Sequence, residues 1–235
     1  RASKFKILLA AIATKFSLCH KHIEAIINLP PMSNPHTLAA MKIMGIAGSP
    51  TYNAAPQFAP LLAFAGVNLS LKYGNTAMSA YGYASYGVML CGVLGNIDAG
   101  YQFGKLALDL LEKFQAKELK ARTFMVFNNF IRHWKEHVRE GLPSLIEAYQ
   151  SGLDTGDIEF AAYCGFIYCY HSYFVGKELT ALAQEMETYL QASDRLKQET
   201  ASHLLQLYRQ SVANLLGTTE NPCFFSGKYY DEKKM

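Results

Sequence analysis

Two histidines in the middle of the chain have the spacing of metal ligands. His133 and His137 are four residues apart, which places two imidazoles on one face of a helix, where they could bind zinc. The glutamate of the zinc-protease motif is not in its place, and the sequence offers no third ligand. We therefore favour a surface patch of basic and aromatic residues and predict no metal site. A metal-dependent enzyme is the less favoured alternative.

A second group combines thiols with an imidazole in residues 164–171. Cys164 and Cys169 are five residues apart, a poor ligand pair on a helix, and His171 follows within a run of tyrosines and phenylalanines. Buried thiols behave as small hydrophobic groups, so we predict core packing here. The chain has 5 cysteines, an odd number scattered through apolar segments, which predicts reduced thiols in a cytoplasmic protein rather than a disulfide framework.

Aromatic residues form the third group, and they supply the candidate site. They recur at helical spacing in residues 81–86 and 160–174. Such a ladder either lines a ligand groove or packs as core between helices, and the partners that tyrosine hydroxyls need favour the rim of a groove. The residues that we assign to a groove or interface are Tyr81, Tyr83, Tyr86, Tyr163, Tyr170, Tyr173, Phe58 and Phe64.

Catalytic motifs for nucleotide or ester chemistry are missing. A phosphate-binding loop ends in Gly-Lys-Ser/Thr, but the three Gly-Lys pairs continue with Leu106, Glu178 and Tyr229. The kinase catalytic-loop triplet and the Gly-x-Ser-x-Gly elbow of hydrolases are also absent. We predict that this chain is not itself an enzyme and that it binds no cofactor.

Composition narrows the class of protein further. The 235 residues are 50% hydrophobic and 17% charged, which excludes a disordered polar segment. The net charge of +3 comes without a basic stripe and gives no support for nucleic-acid binding. Proline and asparagine interrupt the apolar runs before they reach the roughly 20 residues of a membrane span. A start at Arg1 without a signal peptide predicts a piece of a longer polypeptide.

Formal charge is unevenly distributed along the chain. Between Ala25 and Ile97 only Lys42 and Lys72 are charged at neutral pH. Large apolar surfaces usually mark interaction sites, so we expect this range to contact another domain or a second copy in a two-fold homodimer. Burial of the same helices within the fold is the alternative.

Hydrophobic spacing near 3.6 residues predicts an all-α chain. Turn residues at 48–50 and 151–156 separate helices, and Gly217 is placed to end the last one in a left-handed conformation. A helix over 118–138 would put Trp134 on the face of Phe127 and Phe130, where we expect it to be at least partly buried. The predicted helices span residues 4–29, 37–48, 54–73, 78–94, 100–115, 118–138, 144–150, 158–174, 177–191 and 194–216.

Internal spacing suggests helical repeats. Gly87, Phe127, Gly165 and Leu205 are separated by 40, 38 and 40 residues, and each precedes a bulky residue by three positions. This register predicts an α-solenoid of tetratricopeptide-like helix–turn–helix units with a period near 40 residues. We expect one continuous domain over residues 1–217 and a tail, 218–235, that leads into the next repeat. An irregular helical bundle is the alternative.

Several separated strings of the sequence resemble one family. They are Gly-Tyr-Gln-Phe-Gly-Lys-Leu-Ala-Leu at 100–108, Ile-Arg-His-Trp-Lys-Glu-His at 131–137, Gly-Leu-Asp-Thr-Gly-Asp at 152–157, Tyr-Cys-Tyr-His-Ser-Tyr-Phe-Val-Gly-Lys-Glu-Leu at 168–179, and the tail from Asn221. Together they resemble the helical region of giant bacterial multi-domain signalling kinases. These proteins join a serine/threonine kinase, an AAA/STAND-type ATPase, a helical-repeat region, a GAF domain and a histidine kinase.

The resemblance implies a position between the ATPase and the GAF domain, and it carries over no catalytic residue. It implies a non-catalytic sensor and scaffold module that binds an inducer or partner protein and couples it to the flanking ATPase, GAF and kinase domains of a two-component system. A passive structural spacer between the kinase domains is the alternative.

Overall fold

The computed structural model describes residues 4–19 and 21–232. Eleven α-helices follow one another in these residues, and two isolated β-bridges are their only β-structure. The prediction of an all-α chain is confirmed. The helices are α1 (Lys4–Leu18), α2 (Ile23–Ile26), α3 (Pro35–Ala54), α4 (Ala59–Tyr73), α5 (Ala77–Gly92), α6 (Ile97–Phe114), α7 (Lys120–Phe130), α8 (Leu142–Thr155), α9 (Ile158–Phe174), α10 (Leu179–Arg195) and α11 (Glu199–Leu215).

The chain divides into two compact units, Arg1–Glu136 with α1–α7 and His137–Met235 with α8–α11. Each unit has buried apolar side chains of its own. One continuous domain over residues 1–217 stays a prediction. The solenoid register also stays a prediction, although Gly87, Phe127, Gly165 and Leu205 are all buried, on α5, α7, α9 and α11 respectively.

The first unit is built around the close pairing of α5 and α6. A Cβ atom on Gly87 would lie 2.8 Å from the carbonyl oxygen of Gly100, so the two backbones approach where side chains are absent. Four rings fill the core beside this contact. Tyr86 meets Phe103 edge to face at 4.9 Å between ring centroids, and Tyr83 and Phe64 pack on the same pair.

The long helix predicted over residues 4–29 is interrupted. α1 ends at Leu18, and the separate short helix α2 carries Ile26 into the core, where the Asn75 side chain donates a hydrogen bond of 2.8 Å to the Ile26 carbonyl. In the structure α1 packs on α4, whereas α2 packs on α6. Tertiary packing therefore breaks a periodicity that is continuous in the sequence.

The turn predicted at residues 48–50 is also wrong, because α3 runs through Pro50 to Ala54. The glycines on this helix serve a close approach instead of a turn. Added Cβ atoms would lie 2.2 Å from the Met78 sulfur at Gly45 and 2.8 Å from the Tyr81 hydroxyl at Gly48. α3 therefore contacts α5 where these two glycines leave room.

The helix predicted over 118–138 ends early, at Phe130 in α7. A 3-10 helix, Arg132–Trp134, follows it. Trp134 therefore leaves the face of Phe127 and stays 45% exposed, with its indole N–H donating to the Phe130 carbonyl at 3.2 Å. The partly buried position predicted between helices is replaced by a surface position.

In the second unit α8 extends through the turn predicted at 151–156 and ends at Gly156, whose φ is +82°. Gly217 adopts the expected left-handed conformation with φ +67°. Beyond it the tail folds back on α11. The buried Gln210 side chain accepts from the Tyr229 and Tyr230 N–H groups at 3.1 and 3.4 Å.

Candidate functional site

Helix α9 of the second unit carries both fully buried and accessible side chains. Cys164 and Cys169 are fully buried on its inner side, where burial raises the pKa of both thiols far above the ordinary value. Such thiols are inert at neutral pH, since the thiolate is the reactive form. The predicted role of these cysteines in the core agrees with their burial.

One face of α9 carries half-buried and exposed rings that converge on one residue of α11. Residues 166, 170 and 173–174 share one face of the helix because they follow each other at three- and four-residue intervals. All of these rings contact Tyr208. We call this group the aromatic surface, and it consists of Phe166, Tyr170, Tyr173, Phe174 and Tyr208.

The geometry of the aromatic surface combines stacking with edge contacts. Tyr170 and Tyr208 are stacked, with centroids 5.5 Å apart and ring planes 29° from parallel. Tyr173 meets Tyr208 at 6.0 Å and 72°, and Phe174 meets it at 6.3 Å and 78°. Phe174 is 66% exposed. The surface therefore offers ring faces and edges that are held by their neighbours yet remain in reach of solvent.

The hydroxyl groups of Tyr170 and Tyr208 stay protonated at physiological pH. Burial raises the pKa of Tyr170 to about 12, with Tyr208 as a further cause. Burial also raises the pKa of Tyr208, and Tyr173 adds to the shift. The Tyr170 hydroxyl lies 3.0 Å from Nε2 of the buried His171. Neutral phenols that both donate and accept hydrogen bonds suit recognition of polar groups on a largely apolar ligand.

A partly buried ion pair, Lys177 with Glu185, connects Tyr168 of α9 with α10. Lys177 donates to both carboxylate oxygens of Glu185 at 2.7 Å and to the Tyr168 hydroxyl at 3.0 Å. Burial lowers the pKa of Lys177, but the hydrogen bonds with Glu185 and Tyr168 outweigh it, and the net shift is upward. The lysine is a structural cation here, because its charge is satisfied within the unit.

The predicted groove residues of the second unit separate into two groups. Tyr170 and Tyr173 belong to the aromatic surface. Tyr163 lies further back on α9 against Phe160, at 6.2 Å between centroids. Tyr208, the centre of the surface, was missed as a site residue. The repeat register could have indicated it, since Tyr208 is the bulky residue three positions after Leu205.

Most of the groove residues predicted in the first unit lie in its core. Phe64, Tyr83 and Tyr86 are buried, and the Tyr83 hydroxyl donates to the Asn75 side chain at 2.9 Å. These three rings pack in the core, in line with the core alternative for the aromatic ladder, and their assignment to a groove stays a prediction. Tyr81 is partly buried under the Arg122 guanidinium, 5.8 Å from the ring centroid.

Two further features of the first unit bear on the predicted interaction range 25–97. Phe58 is 39% exposed in the 3-10 helix Pro56–Phe58. On α3, Ile43, Ile46 and Tyr52 are exposed. This range thus contains both the buried helices of the core and accessible apolar side chains.

The two histidines do not share a helical face. His133 lies in the 3-10 helix Arg132–Trp134, where burial lowers its pKa. His137 precedes another 3-10 helix, Val138–Gly141, and its Nδ1 accepts from the Arg139 N–H at 3.1 Å. Within residues 4–19 and 21–232, no three His, Cys, Asp or Glu side chains are grouped so that they could hold a metal ion.

None of the helices in the described residues has the length and apolar character that a membrane crossing requires.

Comparison with known proteins connects the chain to signalling. It is 23% identical over 163 residues to the hybrid signal transduction histidine kinase G of Dictyostelium discoideum, a match that covers 68% of this chain and 4% of that protein. The chain therefore spans a small part of the relative's length. No protein-family profile and no solved structure matches it. The similarity supports a signalling-related region in general terms.

Proposed function

We propose that this chain is a non-catalytic sensor and scaffold module of a multi-domain, cytoplasmic signal-transduction kinase. In this proposal it binds an inducer protein or small molecule and couples that binding to the ATPase, GAF and kinase domains of the same polypeptide. The similarity to a histidine kinase supports the signalling context. Helical arrays of tetratricopeptide type suit the role because successive helices build an extended binding surface.

The observation that carries the binding role is the convergence of α9 rings on Tyr208. Surface aromatic residues with hydrogen-bonding hydroxyls are enriched where proteins bind partners. Tyr173 and Phe174 add accessible edges around the stacked pair of Tyr170 and Tyr208. Phe174 is 66% exposed, so this edge of the aromatic surface is open to a partner.

Affinity capture with matched variants tests the binding role. The wild-type chain, Tyr208→Ala and Phe174→Ala are immobilised, and bound proteins and small molecules from a lysate of the source cells are identified by mass spectrometry. Trp134→Ala is the control, because this aromatic residue is exposed in the first unit. We expect a species that both the wild type and the control retain, that both surface variants lose, and that then binds saturably in titrations.

If Tyr208→Ala and Phe174→Ala capture the same species as the wild type, the binding role is contradicted. Phe174→Ala guards against a trivial loss of folding, since an exposed ring contributes less to stability than a buried one. A chain that binds nothing saturably would instead favour the passive spacer between kinase domains.

A further inference from the structure

Helix α1 is apolar on two opposite sides. Its inner side packs on the core of the first unit through Ile7, Ala10, Ala11 and Leu18. The buried Thr14 completes this side, where its hydroxyl accepts a hydrogen bond from the Asn68 side chain at 2.9 Å. These contacts of the inner side hold α1 on the unit, and the outer side takes no part in them.

The outer side of α1 carries the longest run of exposed large apolar side chains among the described residues. They follow each other at intervals of three, one, three and four residues, which places them along one stripe of the helix. Their exposed fractions run from 43% to 75%. We call this the outer stripe of α1, and it consists of Phe5, Leu8, Leu9, Ile12 and Phe16.

The outer stripe has a symmetry that suits pairing with itself. Phe5 and Phe16 are equally far from the midpoint between residues 10 and 11, and so are Leu9 and Ile12. An antiparallel copy of the helix, rotated about a two-fold axis at this midpoint, places each phenylalanine opposite a phenylalanine. It also places Leu9 opposite Ile12 of the second copy. A two-fold interface requires such self-complementarity.

The flanks of the outer stripe are positively charged, and this charge makes the antiparallel pairing of two copies less favourable without blocking it. Lys6 and Lys15 are exposed on α1, which has no acidic residue. In an antiparallel pair each flank faces the same flank of the copy in reversed order, so Lys6 lies opposite Ala13 and Ser17. The lysines of the two copies are like charges, and at 0.1 M salt such charges interact over about 10 Å. They oppose association, and salt should weaken that opposition.

We propose that the outer stripe of α1 is the interface of a homodimer in which the α1 helices of two copies pack antiparallel across a two-fold axis. The five side chains expose on the order of 500 Å² between them. A standard interface buries about 800 Å² per partner. The stripe is therefore smaller than a standard interface, and we expect a weak and reversible dimer. This surface is independent of the aromatic surface between α9 and α11.

Sedimentation equilibrium of the intact 235-residue chain over a range of concentrations tests the proposal. We expect a monomer–dimer equilibrium that Leu9→Glu weakens at least tenfold. Leu94→Glu is the matched control, since Leu9 is 50% and Leu94 55% exposed and Leu94 lies outside the stripe. Circular dichroism melts verify that both variants remain folded. A wild-type chain that is monomeric at every concentration, or equal effects of the two variants, would overturn the proposal.

The effect of salt on association distinguishes a second copy of the chain from an acidic partner or a lipid surface as the occupant of the outer stripe. Because the flanks of α1 are cationic, we expect raised sodium chloride to strengthen the dimer, whereas binding to an anionic surface weakens as salt screens it. Vesicles of phosphatidylcholine with and without phosphatidylserine provide the second arm. Co-sedimentation of a monomeric wild-type chain with the anionic vesicles, lost in Leu9→Glu, would assign the stripe to a membrane surface and overturn the homodimer.

Discussion

Tyr170 of α9 stacks on Tyr208 of α11, with 5.5 Å between ring centroids and 29° between ring planes. The two rings shield each other from solvent, and burial is the first cause of the raised pKa of both phenols. The packing of α9 on α11 therefore helps to keep the hydroxyl groups of Tyr170 and Tyr208 protonated.

Removing one ring of this pair should change the titration of the other. In Tyr208→Ala we expect the pKa of Tyr170 to fall from about 12 toward the ordinary value near 10, because water then reaches its hydroxyl. In the wild type the folded state favours the neutral phenol, so the contribution of Tyr170 to stability is complete below about pH 10 and is lost as the pH rises toward the folded-state pKa. Ultraviolet titration of tyrosinate absorbance measures the shift, and Tyr52→Ala in the first unit is the control.

Gln210 should be essential for the attachment of the tail. It is fully buried and accepts from the N–H groups of Tyr229 and Tyr230 while donating to Asn214 at 2.8 Å. Gln210→Ala leaves two backbone donors without their acceptor, and we expect a loss of about 2–4 kcal/mol in the free energy of unfolding. Urea denaturation measures it, with the exposed Gln191→Ala expected to change little. Unaltered proteolytic resistance of residues 218–232 in Gln210→Ala would contradict this role.

A pair of glycine substitutions should have opposite effects on the first unit. A Cβ atom on Gly104 would lie 2.6 Å from the buried Phe127 ring, so Gly104→Ala should cost about 1–3 kcal/mol. Gly82 is also inside a helix, but no atom lies within 4 Å of its added Cβ. Gly82→Ala should therefore stabilise by up to about 1 kcal/mol through helix propensity. Thermal melts of both variants decide whether close packing or propensity governs each position.

Glu178 should make the stability of the second unit depend on acid pH. Its carboxylate caps α10 by accepting from the Ala181 and Thr180 N–H groups, each at 2.7 Å, and these bonds lower its pKa. A lowered pKa stabilises the folded state above the unfolded value near 4.3, and this contribution is lost as the pH falls through the folded value. The melting temperature of Glu178→Gln should lie below that of the wild type at neutral pH. The difference should close in acid, and a difference independent of pH would refute the charged cap.

Trp134 should contribute little to stability, in contrast to the expectation from a continuous helix. Its ring is 45% exposed and its one indole hydrogen bond is local. We expect Trp134→Ala to cost about 1 kcal/mol or less in denaturant melts. A loss of several kcal/mol would show that the ring is covered in solution, for example by a partner.

Local sequence determined the class of fold and the best-defined helices. The helix predicted over 158–174 coincides with α9, because its flanking glycines at 156 and 176 adopt the left-handed conformations, φ +82° and +77°, that end helical segments. The burial of Cys164 and Cys169 could be predicted for a similar reason, because they lie among apolar residues at helical spacing. These features depend on neighbours within a few turns of the chain.

Only tertiary structure decided where periodicity is interrupted and which aromatic residues meet. α3 continues through Pro50 and lies against α5 at Gly45 and Gly48, and the helical pattern of residues 4–29 is interrupted before Ile26 enters the core. The candidate site was likewise predictable only in its α9 half. Tyr208 joins Tyr170 from 38 residues away in the sequence, and such a contact depends on how α9 and α11 pack, which helical periodicity within either segment does not specify.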